Sequence, residues 1–82
     1  MYSVVCTAAA DGELAALWIT AKDRGAVSEA AAHIERALQV SPLDQGESRE
    51  GNQRIMFVPP VGVRYVVYPT QSRVVIVQFW TY

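Results

Sequence analysis

The last third of the chain constrains the fold most. Three runs rich in β-branched and aromatic residues, Arg54–Val58, Val63–Tyr68 and Arg73–Trp80, are separated by Pro59-Pro60-Val61-Gly62 and Pro69-Thr70-Gln71-Ser72. Residues of this kind suit a pleated surface, and proline, with no amide proton to donate, interrupts a ladder rather than extending it. Connections this short join antiparallel neighbours, so the segment predicts a three-stranded meander.

The preceding residues supply what must cover that sheet. Tyr2–Thr7 (YSVVCT) reads as a first strand. Leu14, Leu17, Trp18 and Ala21 recur at i, i+3, i+4 and i+7, which predicts a helix starting near Ala9 or Asp11 with that stripe turned inward. Asp23 is placed to cap a second helix, in which Val27, Ala30, Ala31, Ile34, Ala37 and Leu38 repeat with helical period. His33 falls off this stripe and is expected in solvent. Ser41–Gln53 is polar and glycine-rich, a loop. The order β-α-α-β-β-β predicts a single α+β domain over residues 1–82. Its sheet is an antiparallel meander plus the N-terminal strand, with the two-helix hairpin packed on one face. A chain of 82 residues holds one core, not two.

Composition adds a partner. A hydrophobic content of 51% against 18% charged residues excludes a disordered chain and leaves more apolar surface than one small core hides. The last strand carries much of the excess, with Val75, Val77 and Phe79 alternating with Val74, Ile76 and Trp80. Only one of these faces can meet the helices. If Met56 and Val66 join the second, then Met56, Val66, Val74, Ile76 and Trp80 form an exposed apolar groove suited to another chain.

Charge and motifs narrow the chemistry. A net charge of −1 makes no electrostatic case for nucleic acid over the whole molecule. Residues 51–82, however, carry Arg54, Arg64 and Arg73 and no acid, and guanidinium forks suit phosphate. No apolar run reaches the ~18–20 residues that cross a bilayer, so no membrane role and a cytoplasmic location are expected. Cys6, the one cysteine, has no disulfide partner and no metal-ligand spacing around it. There is no nucleophile elbow, no paired carboxylates and no phosphate loop, which sets aside ordinary hydrolase and nucleotide-binding functions.

Several segments resemble one family in kind and order: Y-S-V-V-C-T at Tyr2–Thr7, L-A-A-L-W at Leu14–Trp18, G-E-S-R at Gly46–Arg49, and R-I-M-F-V-P-P-V-G-V-R-Y at Arg54–Tyr65. Over essentially the whole chain they are similar to the RelE/ParE toxin superfamily, in particular its short plasmid-stabilisation members. The resemblance implies a bacterial toxin neutralised by a cognate antitoxin; the residues themselves give no sign of a cofactor or metal. It leaves two activities open, since RelE-like members cleave ribosome-bound mRNA whereas ParE-like members inhibit DNA gyrase without hydrolysis. For the nuclease, the resemblance places Arg64, in Gly62-Val63-Arg64, where such enzymes carry an arginine on the phosphate. Tyr82 would then be the acid, base or stacking group, with Arg54 and Arg73 binding RNA. Ile55 and Phe57 stand where those enzymes place lysines, which keeps open the gyrase-inhibiting reading and that of a degenerate member that only binds antitoxin. The apolar groove would receive the antitoxin, a second copy in a homodimer, or both.

Overall fold

The computed structural model describes all residues, Met1–Tyr82. Strand β1 (Ser3–Cys6) leads into helices α1 (Ala8–Thr20) and α2 (Arg24–Val40). There follow a two-residue strand β2 (Glu47–Ser48), then β3 (Gln53–Val58), β4 (Val61–Tyr68), a single 3-10 turn at Pro69–Gln71, and β5 (Arg73–Thr81). The sheet order is β1-β5-β4-β3-β2, with β1 parallel to β5 and every other pair antiparallel. The expected meander and N-terminal strand are therefore present, extended by β2, a short strand inside what reads as loop. The turn between β3 and β4 is shorter than the sequence suggests, since Val61 and Gly62 already belong to β4.

Local chemistry sets the helix ends. Thr7 Oγ1 accepts from the Ala10 amide at 3.1 Å, and Asp23 accepts from Ala26 at 3.0 Å, so each helix starts on a side-chain oxygen that satisfies a free amide. Arg24 locks the elbow between them. Its guanidinium donates to the carbonyls of Trp18 and Ile19 at the end of α1 and lies 4.8 Å from the Trp18 ring centroid, while the indole donates to Ser28.

The core lies between this hairpin and one face of the sheet. Val27, Ala30, Ile34 and Leu38 of α2 are buried against Met56, Val61, Val63, Tyr65, Val67, Val74, Ile76 and Phe79, and His33 is exposed, as the period of α2 predicts. Helix α1 differs from expectation. Leu14, Leu17 and Ala21 pack on the core, but Trp18 remains 42% exposed, because α1 is apolar around its whole circumference and has no single inward stripe.

Tyr65 ties the loop to the core. Its ring is fully buried and its hydroxyl reaches the carbonyls of Pro42 and Gln45, each at 2.9 Å. Burial, against the opposing pull of Arg54, raises its pKa above the usual tyrosine value, which favours the protonated hydroxyl that donates here. Gly46 follows with positive φ, where a Cβ would collide with the Ile55 carbonyl. Tyr65→Phe should leave the Pro42 carbonyl without a donor, the Gln45 carbonyl keeping Arg54, and cost about 1–2 kcal/mol in urea unfolding, with an unchanged m-value.

Candidate functional site

The face of the sheet turned away from the helices is open. Cross-strand pairing joins Ile55, Arg64 and Gln78 in one row, Phe57, Gly62 and Trp80 in the next, and Val66 with Val75 in another. Directly paired residues share a face, so these side chains lie together. Ile55, beside β2 of the Ser41–Gln53 segment, is buried, whereas Phe57 is exposed and Arg64, Val66, Gln78 and Trp80 are half-buried, so the face is only partly covered.

Two features give this face its shape. Gly62 lets the Trp80 indole lie against the backbone; a Cβ there would stand 2.5 Å from Trp80 Cε2. Phe57, itself 52% exposed, meets Trp80 and Tyr82 edge-on, with ring centroids 6.0 and 5.2 Å apart. Beside this cluster sits Arg64, whose Nε is buried without any hydrogen-bond partner. An unpaired buried donor costs about 1–3 kcal/mol, which makes Arg64 the polar group of this face that most calls for a partner.

The residues singled out from sequence divide into three groups. Arg64, Trp80, Tyr82 and Val66 share the open face. Arg73 lies on it too, but opposite Tyr68 at the far end of β5, about 20 Å from Trp80 at the usual strand rise. Met56, Val74 and Ile76 do not belong to it: they are 5%, 0% and 3% exposed, packed beneath the helices. Met56 pairs with Val63 and Val66 with Val75, which puts the two on opposite faces. Val74 and Ile76 are inward because of a bulge. Arg64 pairs with Gln78 but Tyr65 with Ile76, so Val77 has no counterpart and the alternation changes phase there. Arg54 is also on the helix side, and it donates to the carbonyls of Gln45 and Gly46 and to Ser48 Oγ. Its fork fastens the loop rather than facing a nucleic acid.

Two contributors escaped the sequence reading. Phe57 is marked only by its phase with Gly62 across the Pro59-Pro60 turn. The other is an apolar cleft of about 530 Å³ between the helices, lined by Leu14, Ala15, Trp18, Ile19, Val27 and Ala31, with Ile19 61% exposed. Cys6 faces the core side, and burial, reinforced by the negative charge of Asp11, pushes its thiol up to about 11, well outside the range of a reactive nucleophile. No group of three or more His, Cys, Asp or Glu side chains is placed to hold a metal, and no helix is long and apolar enough to cross a membrane.

Among proteins of known structure, a chain of the toxin–antitoxin complex RelBE2 from Mycobacterium tuberculosis superposes with a TM-score of 0.78 at 18% identity, over 99% of this chain and 91% of that one. A chain of the chromosomal ParDE toxin–antitoxin system of P. aeruginosa gives 0.76 at 18% identity, over 99% and 96%. No protein-family model matches the sequence. No curated protein matches it either. The chain shares the fold of these two chains over nearly its whole length.

Gly62→Ala should expel the Trp80 indole, seen as a loss of its near-ultraviolet circular dichroism in a Trp18→Phe background, and destabilise by about 1–3 kcal/mol. The folded chain holds the Cys6 proton between pH 9 and 11, where the unfolded chain releases it, so Cys6 makes stability fall as pH rises through that window. Iodoacetamide at pH 8.5 should label native Cys6 at least ~10-fold more slowly than the urea-unfolded chain.

Proposed function

We propose that this chain is the toxin of a type II toxin–antitoxin pair, acting on its target through the open sheet face and held in check by an antitoxin. The observation that carries the reading is Arg64: a guanidinium with a buried, unpaired Nε next to an exposed aromatic cluster, on a scaffold shared with chains of two toxin–antitoxin complexes. Rigid aromatics with an adjacent arginine are the usual energetic centre of a binding surface.

Binding without cleavage is the mode this surface supports best. The chain's one lysine, Lys22, and its one histidine, His33, both lie on the helical layer; cross-strand pairing puts Ser3, Gln53, Arg64, Tyr68, Arg73 and Gln78 on the open face, together with one carboxylate, Glu47, which is paired with Arg49. Such a face engages a protein target, gyrase or another, through shape and stacking. Cleavage of ribosome-bound mRNA is the second reading, favoured by one point. Arg64 could hold a phosphate while Phe57, Trp80 and Tyr82 stack on bases, with Tyr82 moving the proton.

The antitoxin has a different surface available. The cleft between α1 and α2, with Trp18 pinned by Arg24 and Ser28, offers a preorganised apolar groove for an amphipathic helix.

Induced expression should arrest bacterial growth, and Arg64→Ala should relieve the arrest without lowering the melting temperature. Intact mRNA with altered DNA supercoiling supports the binding mode, whereas cleaved ribosome-bound mRNA that disappears in the variant supports the nuclease. Absence of any growth effect would contradict both. Ile19→Glu should leave toxicity intact while weakening rescue by a co-expressed antitoxin by at least ~10-fold, read as colony survival.

A further inference from the structure

We propose that the outer edge of β1 is a self-pairing strand that joins two copies of this chain antiparallel about Val5. The two edges of the sheet differ. On the β3 side, a two-residue β2 covers part of the edge and Pro59-Pro60 ends the strand, the usual protection against edge-to-edge pairing. On the β1 side there is no such device: Tyr2–Thr7 carries no charge and no proline.

Hydrogen-bond parity identifies the open groups. Ser3 and Thr7 donate inward, to the carbonyls of Ser72 and Ile76, so Ser3, Val5 and Thr7 point at β5 while Tyr2, Val4 and Cys6 point outward. The Tyr2 amide is taken by the Gln39 carbonyl at the end of α2, at 2.8 Å, and the chain turns into α1 after Thr7. What remains is Val4 to Cys6, whose amides and carbonyls have no partner on this edge. This stretch is symmetrical about Val5. An antiparallel copy of itself pairs Val4 with Cys6 of the other molecule and Cys6 with its Val4, each pair exchanging both bonds, with the two Val5 residues facing each other on the dyad as a non-hydrogen-bonded pair. The next residues in that register, Tyr2 and Ala8, are the points where the α2 terminus and α1 end the pairing, so the open stretch fits its own copy in length as well as polarity.

The side chains agree with the backbone. Val5 is 45% exposed on the open face, beside Val75, and would continue that apolar row across the dyad. On the helix side, a cleft of about 260 Å³ lined by Val4, Cys6, Ala32 and Glu35 leaves room for the other copy's Val4 and Cys6. A contact this short buries less than a standard interface, so dissociation is expected between about 10 µM and 1 mM. The inference does not depend on the toxin reading.

Sedimentation equilibrium of the full chain should show a dimer that dissociates on dilution through that range. Val4→Pro removes an outward amide proton and no inward one, and should weaken the dimer at least ~10-fold with an unchanged far-ultraviolet circular dichroism spectrum. Because that variant could fold poorly, oxidative cross-linking provides an independent arm. In a Cys6→Ala background, Val5→Cys should form a disulfide dimer, since facing residues of such a pair lie about 4.5 Å apart, whereas Val75→Cys, one strand inward, should not. Wild type that remains monomeric at about 1 mM, or equal cross-linking at the two positions, would overturn the proposal.

Discussion

The unpaired residue Val77 is the constraint on which the remaining architecture depends. Without it, strict alternation along β5 would send Phe79 to the same side as Val75 and Trp80 to the same side as Val74 and Ile76. With it, Val74, Ile76 and Phe79 all reach the core, and Gln78 and Trp80 both reach the open face. The same change of phase directs the Phe79 amide outward beyond the end of β1, where no strand is present to receive it. Glu13 of α1 accepts that proton at 3.1 Å and so fastens the helix to the half of β5 that β1 does not cover.

Division of labour between the two faces follows. The helix side is sealed by aliphatic packing and by Tyr65 and Arg54, whose polar ends converge on the Gln45 carbonyl and hold the loop in place. The open side carries an aromatic cluster and one polar atom, Arg64 Nε, that the chain does not pair by itself. Gly62 and Trp80 are matched in shape, Phe57 sets the indole and Tyr82 edge-on, and Arg64 keeps a buried nitrogen unpaired. A small domain of modest stability keeps such a donor at a cost, which is understandable when another molecule completes it.

Much of this was legible from residue order. Helical period alone placed Val27, Ala30, Ile34 and Leu38 inward and His33 outward, because α2 has one apolar side and a polar remainder. The same method misplaced Trp18: α1 is apolar all round, and periodicity says nothing about which part of such a helix meets the sheet. Met56, Val74 and Ile76 were assigned to the wrong face for a related reason. Alternation gives only the relative phase within a strand, and the phase between strands depends on register and on a bulge with no sequence mark. Arg54 looked like a free cation because its partners are backbone carbonyls of Gln45 and Gly46, groups that no side-chain pattern reveals. Arg64 was found by its place after Gly62, although only the fold shows that its donor is buried and unpaired.

The account turns on which side of β5 Phe79 and Trp80 occupy, and nuclear Overhauser contacts in solution report this directly. Trp80 ring protons should show contacts to the Gly62 α protons and to Phe57, while Phe79 shows contacts to the Leu14 methyls and the Ala31 methyl of the helical layer. Contacts from Trp80 to those helix methyls, with Phe79 in solvent, would mean that β5 runs without its bulge, and the open face described here would not exist.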